Sequence, residues 1–251
     1  MWKAVSFVGF KGSGKTTAII NVAKVLKDRG FKVAIIKHMP EHDIDKEASD
    51  TYRYRQIVPN VIAITRNSTV LFTNKISSFL ELTSLLPNKV DFLLIEGFKE
   101  AITHPRVICA KTIKEVELLR NGLEIAISGL ISENRRLRDE IERKYQIRVI
   151  NAIKEAEILA DIISKKAFIL PGVNCKRCGY DCYTMAKLIV KGEKRINDCK
   201  VLQVEKVKVL IDGKPLILNT FVQKLLMNTI VGMLSSLKGF HEGDIVIYIS
   251  P

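Results

Sequence analysis

Aromatic residues are scarce in this sequence, at 7% with a single Trp, so Val, Ile and Leu must fill the core. No RNA-binding signature of stacking aromatics accompanies its basic stretches. No apolar run reaches the roughly eighteen residues of a membrane-spanning helix, and no membrane association is expected. Met1-Trp2-Lys3 leads directly into a short apolar stretch without signal-peptide architecture, so a cytoplasmic location is expected. Acidic residues are also in deficit, 27 against 40 Lys and Arg, for a net charge of +13. That excess suits nucleotides, phosphorylated cofactors or other polyanions, and equally a solvated Lys-rich surface. Arg135, Arg136, Arg138, Arg143, Lys144 and Arg148 interleave with Asp139, Glu140 and Glu142, which reads as an exposed salt-bridged helix. A nucleic-acid partner is not expected.

What is present is enough chain, 251 residues at 47% hydrophobic, for one large domain and something smaller. Residues 3–8 read as a buried strand, residues 15–29 as a helix ended by Gly30, and residues 32–36 as a second strand. Two strands joined by such a helix form a βαβ unit and imply a parallel sheet. Further strands are expected at 61–65, 70–72, 92–95, 107–110, 124–128 and 148–150. Helices are expected at 76–86 and at about 153–165. The expected fold is α/β: a doubly wound, mostly parallel P-loop NTPase-like sheet over residues 1–168, a Cys-rich module at 169–201, and a small ββαβ domain at 202–251. In the last, an Asp212-Gly213 turn joins two strands, Asn219 caps a helix reaching about Leu237, and residues 244–249 form a strand. Phe221, Leu225, Leu226, Ile230, Leu234 and Leu237 share a helix face that reads as packed core, or else as a dimer or partner surface.

Gly9-Phe10-Lys11-Gly12-Ser13-Gly14-Lys15-Thr16 matches G-x-x-x-x-G-K-[ST] at every fixed position, between a strand and a helix. Glycines let backbone N–H groups curl towards phosphate oxygens, and the helix adds its positive end. The nucleotide-binding set is Gly9, Lys11, Gly12, Ser13, Gly14, Lys15, Thr16 and Thr17. Lys15 reaches the β- and γ-phosphates and Thr16 takes a place on Mg²⁺. Asp91 begins its strand, on the wrong edge of the sheet, whereas Glu96 ends it. Glu96 is therefore expected to hold Mg²⁺ or position water, and with Lys15 forms the candidate catalytic pair. Asn88-Lys89-Val90-Asp91 imitates a guanine-reading motif but precedes its strand, so it should face away from the nucleotide, and the base stays unread. A loop after the second strand, with Lys37, His38, Asp45, Asp50, Arg53 and Arg55, could clamp a second anionic ligand.

Four of the five cysteines crowd into one segment: Cys175-x2-Cys178-x3-Cys182, then Cys199. In a protein expected in the cytosol this suggests a metal site rather than disulfides. A close triplet with a distant fourth favours a 4Fe-4S cluster, with Zn²⁺ the alternative. If a helix began at Cys178, that thiol and Cys182 would share a face, and Gly179 would relieve crowding there. Cys109, in a strand, reads as structural.

The ordered set of the P-loop, Ile35-Ile36-Lys37-His38, Asp43-Ile44-Asp45-Lys46, Asp50-Thr51-Tyr52-Arg53-Tyr54-Arg55 and Leu94-Ile95-Glu96-Gly97-Phe98-Lys99 resembles the MobB family over about residues 1–165. The family consists of GTP-binding adaptors of molybdopterin-guanine dinucleotide biosynthesis. The resemblance implies GTP binding with weak hydrolysis, a homodimer, and partnership with the molybdopterin guanylyltransferase or the molybdopterin cofactor. Ala48-Ser49-Asp50 and Met39-Pro40-Glu41 depart from the family pattern. Separately, the cysteine segment, with Ala186 and Gly192, resembles a small four-cysteine iron–sulfur module of corrinoid and electron-transfer proteins. Together they imply a specialised variant serving molybdenum or tungsten enzymes. The competing readings are an ATP-dependent ligase or kinase on the same fold, and a redox-responsive P-loop switch.

Overall fold

A computed structural model describes residues 3–39, 44–47, 49–73, 90–202, 207, 209–211, 214–216, 218, 220–241, 243 and 245–249. The chain divides into two compact units, Met1–Ile196 and Asn197–Pro251.

The first unit is built on five parallel strands: β1 (Lys3–Val8), β2 (Val33–Lys37), β5 (Phe92–Glu96), β6 (Arg106–Cys109) and β7 (Glu124–Ser128). Their spatial order is β2-β5-β1-β6-β7. Alternate side chains face opposite ways, so the apolar runs cover both faces. Val5, Phe7, Leu94 and Cys109 pack with Val22 and Leu26 of α1 (Lys15–Asp28) and Leu159 and Ile163 of α5 (Ala156–Lys166). On the other face, Val8, Ile108 and Ile127 pack with Val116 of α3 (Ile113–Leu119) and Ile141 of α4 (Arg135–Tyr145). α1 stops where expected: Gly30 has φ +84° and its N–H donates to the Lys27 carbonyl at 2.8 Å.

Three sequence expectations are modified. Strands β3 (Asn60–Ile64) and β4 (Thr69–Thr73) pair antiparallel with each other, apart from the parallel sheet. Thr65 closes their turn through its Oγ1, which accepts the Asn67 and Ser68 N–H groups. The expected strand at 148–150 shrinks to a single bridge between Ile127 and Val149. Residues 245–249, expected as a strand, carry no regular structure. The expected helix at 76–86, the Asp212-Gly213 turn and the Asn219 cap lie outside the described residues.

Two further α-helices of the first unit are α2 (Asp50–Arg55) and α6 (Cys182–Lys191). The second unit contains a short hairpin, β8 (Val209–Ile211) with β9 (Lys214–Leu216), and α7 (Thr220–Ser235). The apolar stripe on α7 is less buried than a core face: Phe221 is 73% exposed and Leu225 54%. Among the described residues, no helix is long and apolar enough to cross a membrane.

Candidate functional site: a phosphate loop on one sheet edge and a cysteine segment on the other

The loop Gly9–Gly14 leaves the carboxyl end of β1 and enters α1. Its glycines answer to packing and to backbone conformation. A Cβ at Gly9 would fall on the Cys109 carbonyl oxygen and on Ser13 Oγ. Gly12 and Gly14 have φ of +72° and +89°, where side chains are strained. Gly14 is also the N-cap of α1. It lends no side-chain cap, and the first turn carries no acidic residue. The helix therefore presents uncapped N–H groups and a positive end, which suits an anion. The Lys15 ammonium lies over this loop, donating to the Phe10 carbonyl at 2.8 Å.

Glu96 ends β5, which pairs directly with β1 in the register Phe7 to Glu96. That register brings its carboxylate to α1, where Thr16 Oγ1 donates to Oε1 and Oε2 at 3.2 and 3.1 Å. The Glu96 side chain is only 13% exposed, with Lys37 Nζ 3.9 Å away. A hydroxyl and a sheltered carboxylate side by side are hard oxygen donors, the kind Mg²⁺ takes, so the residues present fit that ion. Asp91, at the opposite end of β5, accepts the Lys32 N–H at 2.7 Å and so lies on the amino edge, away from the loop. Asn88 and Lys89 lie outside the described residues.

Two further cations stand at strand ends around the loop. Lys99 Nζ lies 4.2 Å from the centre of the Phe10 ring, and Lys111 Nζ donates to the Lys11 carbonyl at 3.3 Å. Sequence reasoning assigned neither a role. The available signal was their position just beyond β5 and β6, on the same edge as the P-loop. His38 also reaches this edge and stacks on Phe98 at 4.2 Å.

The rest of the proposed second-ligand loop forms its own cluster. Asp45 accepts Ser49 Oγ at 2.6 Å, Thr51 Oγ1 at 2.9 Å and the Lys46 N–H at 3.0 Å, and lies 3.5 Å from Arg55. The Ser49 hydroxyl, then Thr51, Arg55 and the Lys46 N–H, hold its carboxyl below the ordinary range against the opposing effect of burial. Arg55 in turn lies 4.8 Å over the Phe72 ring of β4. Asp45 and Arg55 thus tie the loop to the β3–β4 hairpin. Asp50 and Arg53 are exposed and 3.7 Å apart. Glu41, His42 and Asp43 lie outside the described residues.

None of the five cysteines is in a disulfide; Cys175, Cys178 and Cys182 are half-buried and Cys199 is buried. Their segment winds through left-handed residues, with φ of +47° at Asn174, +55° at Lys176 and +85° at Gly179. A Cβ at Gly179 would meet nothing within 4 Å, so its glycine answers to backbone conformation, not to crowding. α6 starts only at Cys182, capped by Asp181 Oδ1, which accepts the Thr184 N–H at 2.8 Å. Cys178 therefore precedes the helix instead of sharing a face with Cys182. Among the described residues, no three His, Cys, Asp or Glu side chains converge as metal ligands. The donor chemistry nonetheless fits a thiolate-held group: four cysteines within 25 residues, none committed to a disulfide. Cys109 is different, fully buried in β6 with its thiol pushed up to about 12 by burial. The cysteine segment is anchored on the amino edge of the sheet. There Tyr183 of α6 donates to the Asn121 carbonyl at 2.6 Å, three residues before β7.

Comparison with known proteins agrees with both parts. The MobB family, described as molybdopterin guanine dinucleotide synthesis protein B, matches residues 4–132. A family described as "Putative Fe-S cluster" matches residues 170–201. A Methanocaldococcus jannaschii protein named "Putative molybdopterin-guanine dinucleotide biosynthesis adapter protein" is 32% identical over 243 residues, 94% of this chain and 92% of that protein. The Escherichia coli molybdopterin-guanine dinucleotide biosynthesis adapter protein is 28% identical over 125 residues, 47% of this chain and 66% of that protein. The crystal structure of Bacillus subtilis MobB is 22% identical with a TM-score of 0.52, covering 66% of this chain and 99% of that one, and supports the fold. The chain belongs to the MobB family.

Proposed function

We propose that this chain is a GTP-binding adapter of molybdopterin guanine dinucleotide formation that also carries a 4Fe-4S cluster. The observation that carries the nucleotide reading is the meeting of Thr16 and Glu96 beside an uncapped helix N-terminus. In this reading, N–H groups from Gly9 to Thr17 bind the phosphates, and Lys15 swings from the Phe10 carbonyl to the β- and γ-phosphate oxygens. Thr16 and Glu96 hold Mg²⁺, which supplies positive charge against the phosphates. Glu96 also orients water, and hydrolysis is weak. Lys37, His38, Asp50 and Arg53 are left to meet the molybdopterin ligand or its guanylyltransferase. Cys175, Cys178, Cys182 and Cys199 hold the cluster, which supplies redox-capable iron. The nucleotide function is assigned to residues 1–168 and the cluster to 169–201.

A homodimer fits the sheet edge. β2 is an edge strand on which Ile35 is 51% exposed, and the β3–β4 hairpin exposes Ile62 by 62% and Ile64 by 78%. Exposed apolar edges of this kind are normally covered.

Calorimetric titration with Mg·GTP tests the nucleotide reading. Lys15→Ala should weaken binding about tenfold or more, since a charge-assisted contact contributes about 1.5–3 kcal/mol. Unchanged affinity would remove the phosphate assignment.

A further inference from the structure

The cysteine segment carries charge as well as thiols. Residues 173–196 hold six Lys and Arg against two acidic residues, a net +4 of the chain's +13. The positive excess is therefore concentrated here, which an evenly Lys-rich surface does not explain.

The two acids do not neutralise it. Asp181 is spent on Thr184, accepting its N–H at 2.8 Å and its hydroxyl at 3.0 Å, and these bonds hold its carboxyl below the ordinary range. Glu193 lies 3.9 Å from Lys191. Lys176, Arg177 and Lys194 meet no carboxylate among the described residues.

Those three cations flank one short stretch, residues 176–180. Lys176 and Arg177 are exposed between Cys175 and Cys178, in a turn closed by the Gly179 N–H on the Lys176 carbonyl at 2.8 Å. Beyond α6 the chain doubles back: the N–H groups of Glu193 and Lys194 both donate to the Leu188 carbonyl, at 2.9 and 3.2 Å. The Lys194 ammonium then lies 5.9 Å from the centre of the Tyr180 ring. Tyr180 is 37% exposed, and a Cβ at Gly179 would meet nothing within 4 Å, so this rim is open to approach. Cys178 is part of it, its thiol donating to the Tyr180 carbonyl at 3.5 Å. Lys176 also holds φ +55°, a left-handed conformation that glycine takes without strain. Backbone conformation is thus not what a lysine serves there.

We propose that this rim docks an acidic protein, one that presents clustered Asp and Glu to Lys176, Arg177 and Lys194 beside the cysteines. This rests on the reading of the cysteines as metal ligands, since a protein that supplies or reads the bound group has to approach it. Opposite charges steer such an encounter and fix its register. Tyr and Arg, here Tyr180 and Arg177, are the residue types that most often anchor interfaces. Two other polyanions are less well matched. A single-stranded nucleic acid stacks its bases on open aromatic faces, and the one exposed ring here carries Lys194. A membrane surface takes inserted apolar side chains, and among residues 173–196 only Tyr180 exposes a large one.

The test uses the full chain, purified without oxygen, and a labelled Glu/Asp-rich peptide as the acidic probe. The peptide should bind at low salt and weaken as salt rises. Lys176→Gly with Arg177→Ala should weaken it about fivefold or more. Arg135→Ala with Arg136→Ala removes the same charge from exposed positions at the start of α4, beyond the carboxyl end of β7, and should change it less than about twofold. Glycine suits the backbone at 176, so the first variant should fold and keep its iron, which metal analysis and a circular dichroism melt would verify. No peptide binding at low salt, or equal losses in the two variants, would overturn the docking surface. Iron lost from the Lys176→Gly, Arg177→Ala protein would overturn it too, because the charges would then serve the bound group. Tighter binding of oligouridylate or of phosphatidylserine vesicles, lost in the same variant, would overturn the choice of a protein. A parent protein without metal would overturn the cluster reading alone if the peptide still separates the two variants, and both readings if it does not.

Discussion

The two edges of one sheet carry two candidate sites in different states of preparation. On the carboxyl edge, Gly9, Gly14 and Gly129 allow backbone segments from β1, β6 and β7 to touch, and Thr16 already meets Glu96. On the amino edge, Cys175 and Cys178 sit half-buried in a wound loop with Cys182 at the start of α6, and no three ligands converge among the described residues. The candidate phosphate site is preformed because its parts sit at the ends of buried strands of one sheet. The cysteine segment buries little beyond Met185, Ala186 and Cys199, so a bound group would contribute much of its order. Ordering about thirty residues costs more than three buried side chains return.

The contrast can be broken most completely by removing a cluster ligand. Purified without oxygen, the full chain should be brown and carry iron and sulfide. Cys178→Ser should bleach it and expose residues 173–200 to proteolysis, while Mg·GTP affinity stays within about twofold, as for distant independent sites. A colourless protein holding one zinc ion would keep the cysteines as ligands and replace the cluster. A collapse of GTP affinity with the cluster would show that the two edges are coupled, favouring a redox switch.

The next largest effect should come from the prepared edge itself. Gly129 has φ +88°, and a Cβ there would overlap the Ser13 carbonyl oxygen. Gly129→Ala should therefore cost about 2–5 kcal/mol, combining backbone strain with overpacking. Urea unfolding would measure the loss, and GTP affinity should fall while the iron content of the folded protein is kept. A neutral substitution would mean that this edge is less tightly built than the contact implies.

The smallest effect concerns a buried polar contact that neither site uses. His104 is 1% exposed, with its Nε2 2.6 Å from Ser6 Oγ. Burial first, then the charge of Arg106, pushes its pKa from the ordinary 6.5 down to about 4. Between those values the unfolded chain takes up a proton that the folded chain refuses, so stability falls as pH drops from about 6.5 to about 4. Chemical denaturation across that window should lose up to about 3 kcal/mol through this group, at about 1.4 kcal/mol per pH unit. The slope should flatten in His104→Gln, and an identical slope would place the acid sensitivity elsewhere.

Much of the phosphate edge was legible in the chain because its signals are local. A P-loop is a set of residue types at fixed spacing, and Glu96 was readable from the direction of its strand. Direction also disqualified Asp91. The separate hairpin of β3 and β4 was missed because alternating Val, Ile, Leu and Phe read alike in either kind of sheet. The condition that a helix begin at Cys178 is not met, because Asp181, standing between the two cysteines, caps α6 at Cys182.

By itself the sequence determined the loop, the strand-end carboxylate and the four cysteines with their thiolate chemistry, since each is written in neighbouring residues. It also carried the family resemblance, through the order of its motifs. Only the tertiary structure decided that β6 and β7 lie beside β1, and hence that Gly129 must be bare and that Lys111 reaches the P-loop. Those are contacts between segments far apart in the chain, set by which strands pair and which faces the core buries, and no local spacing records them.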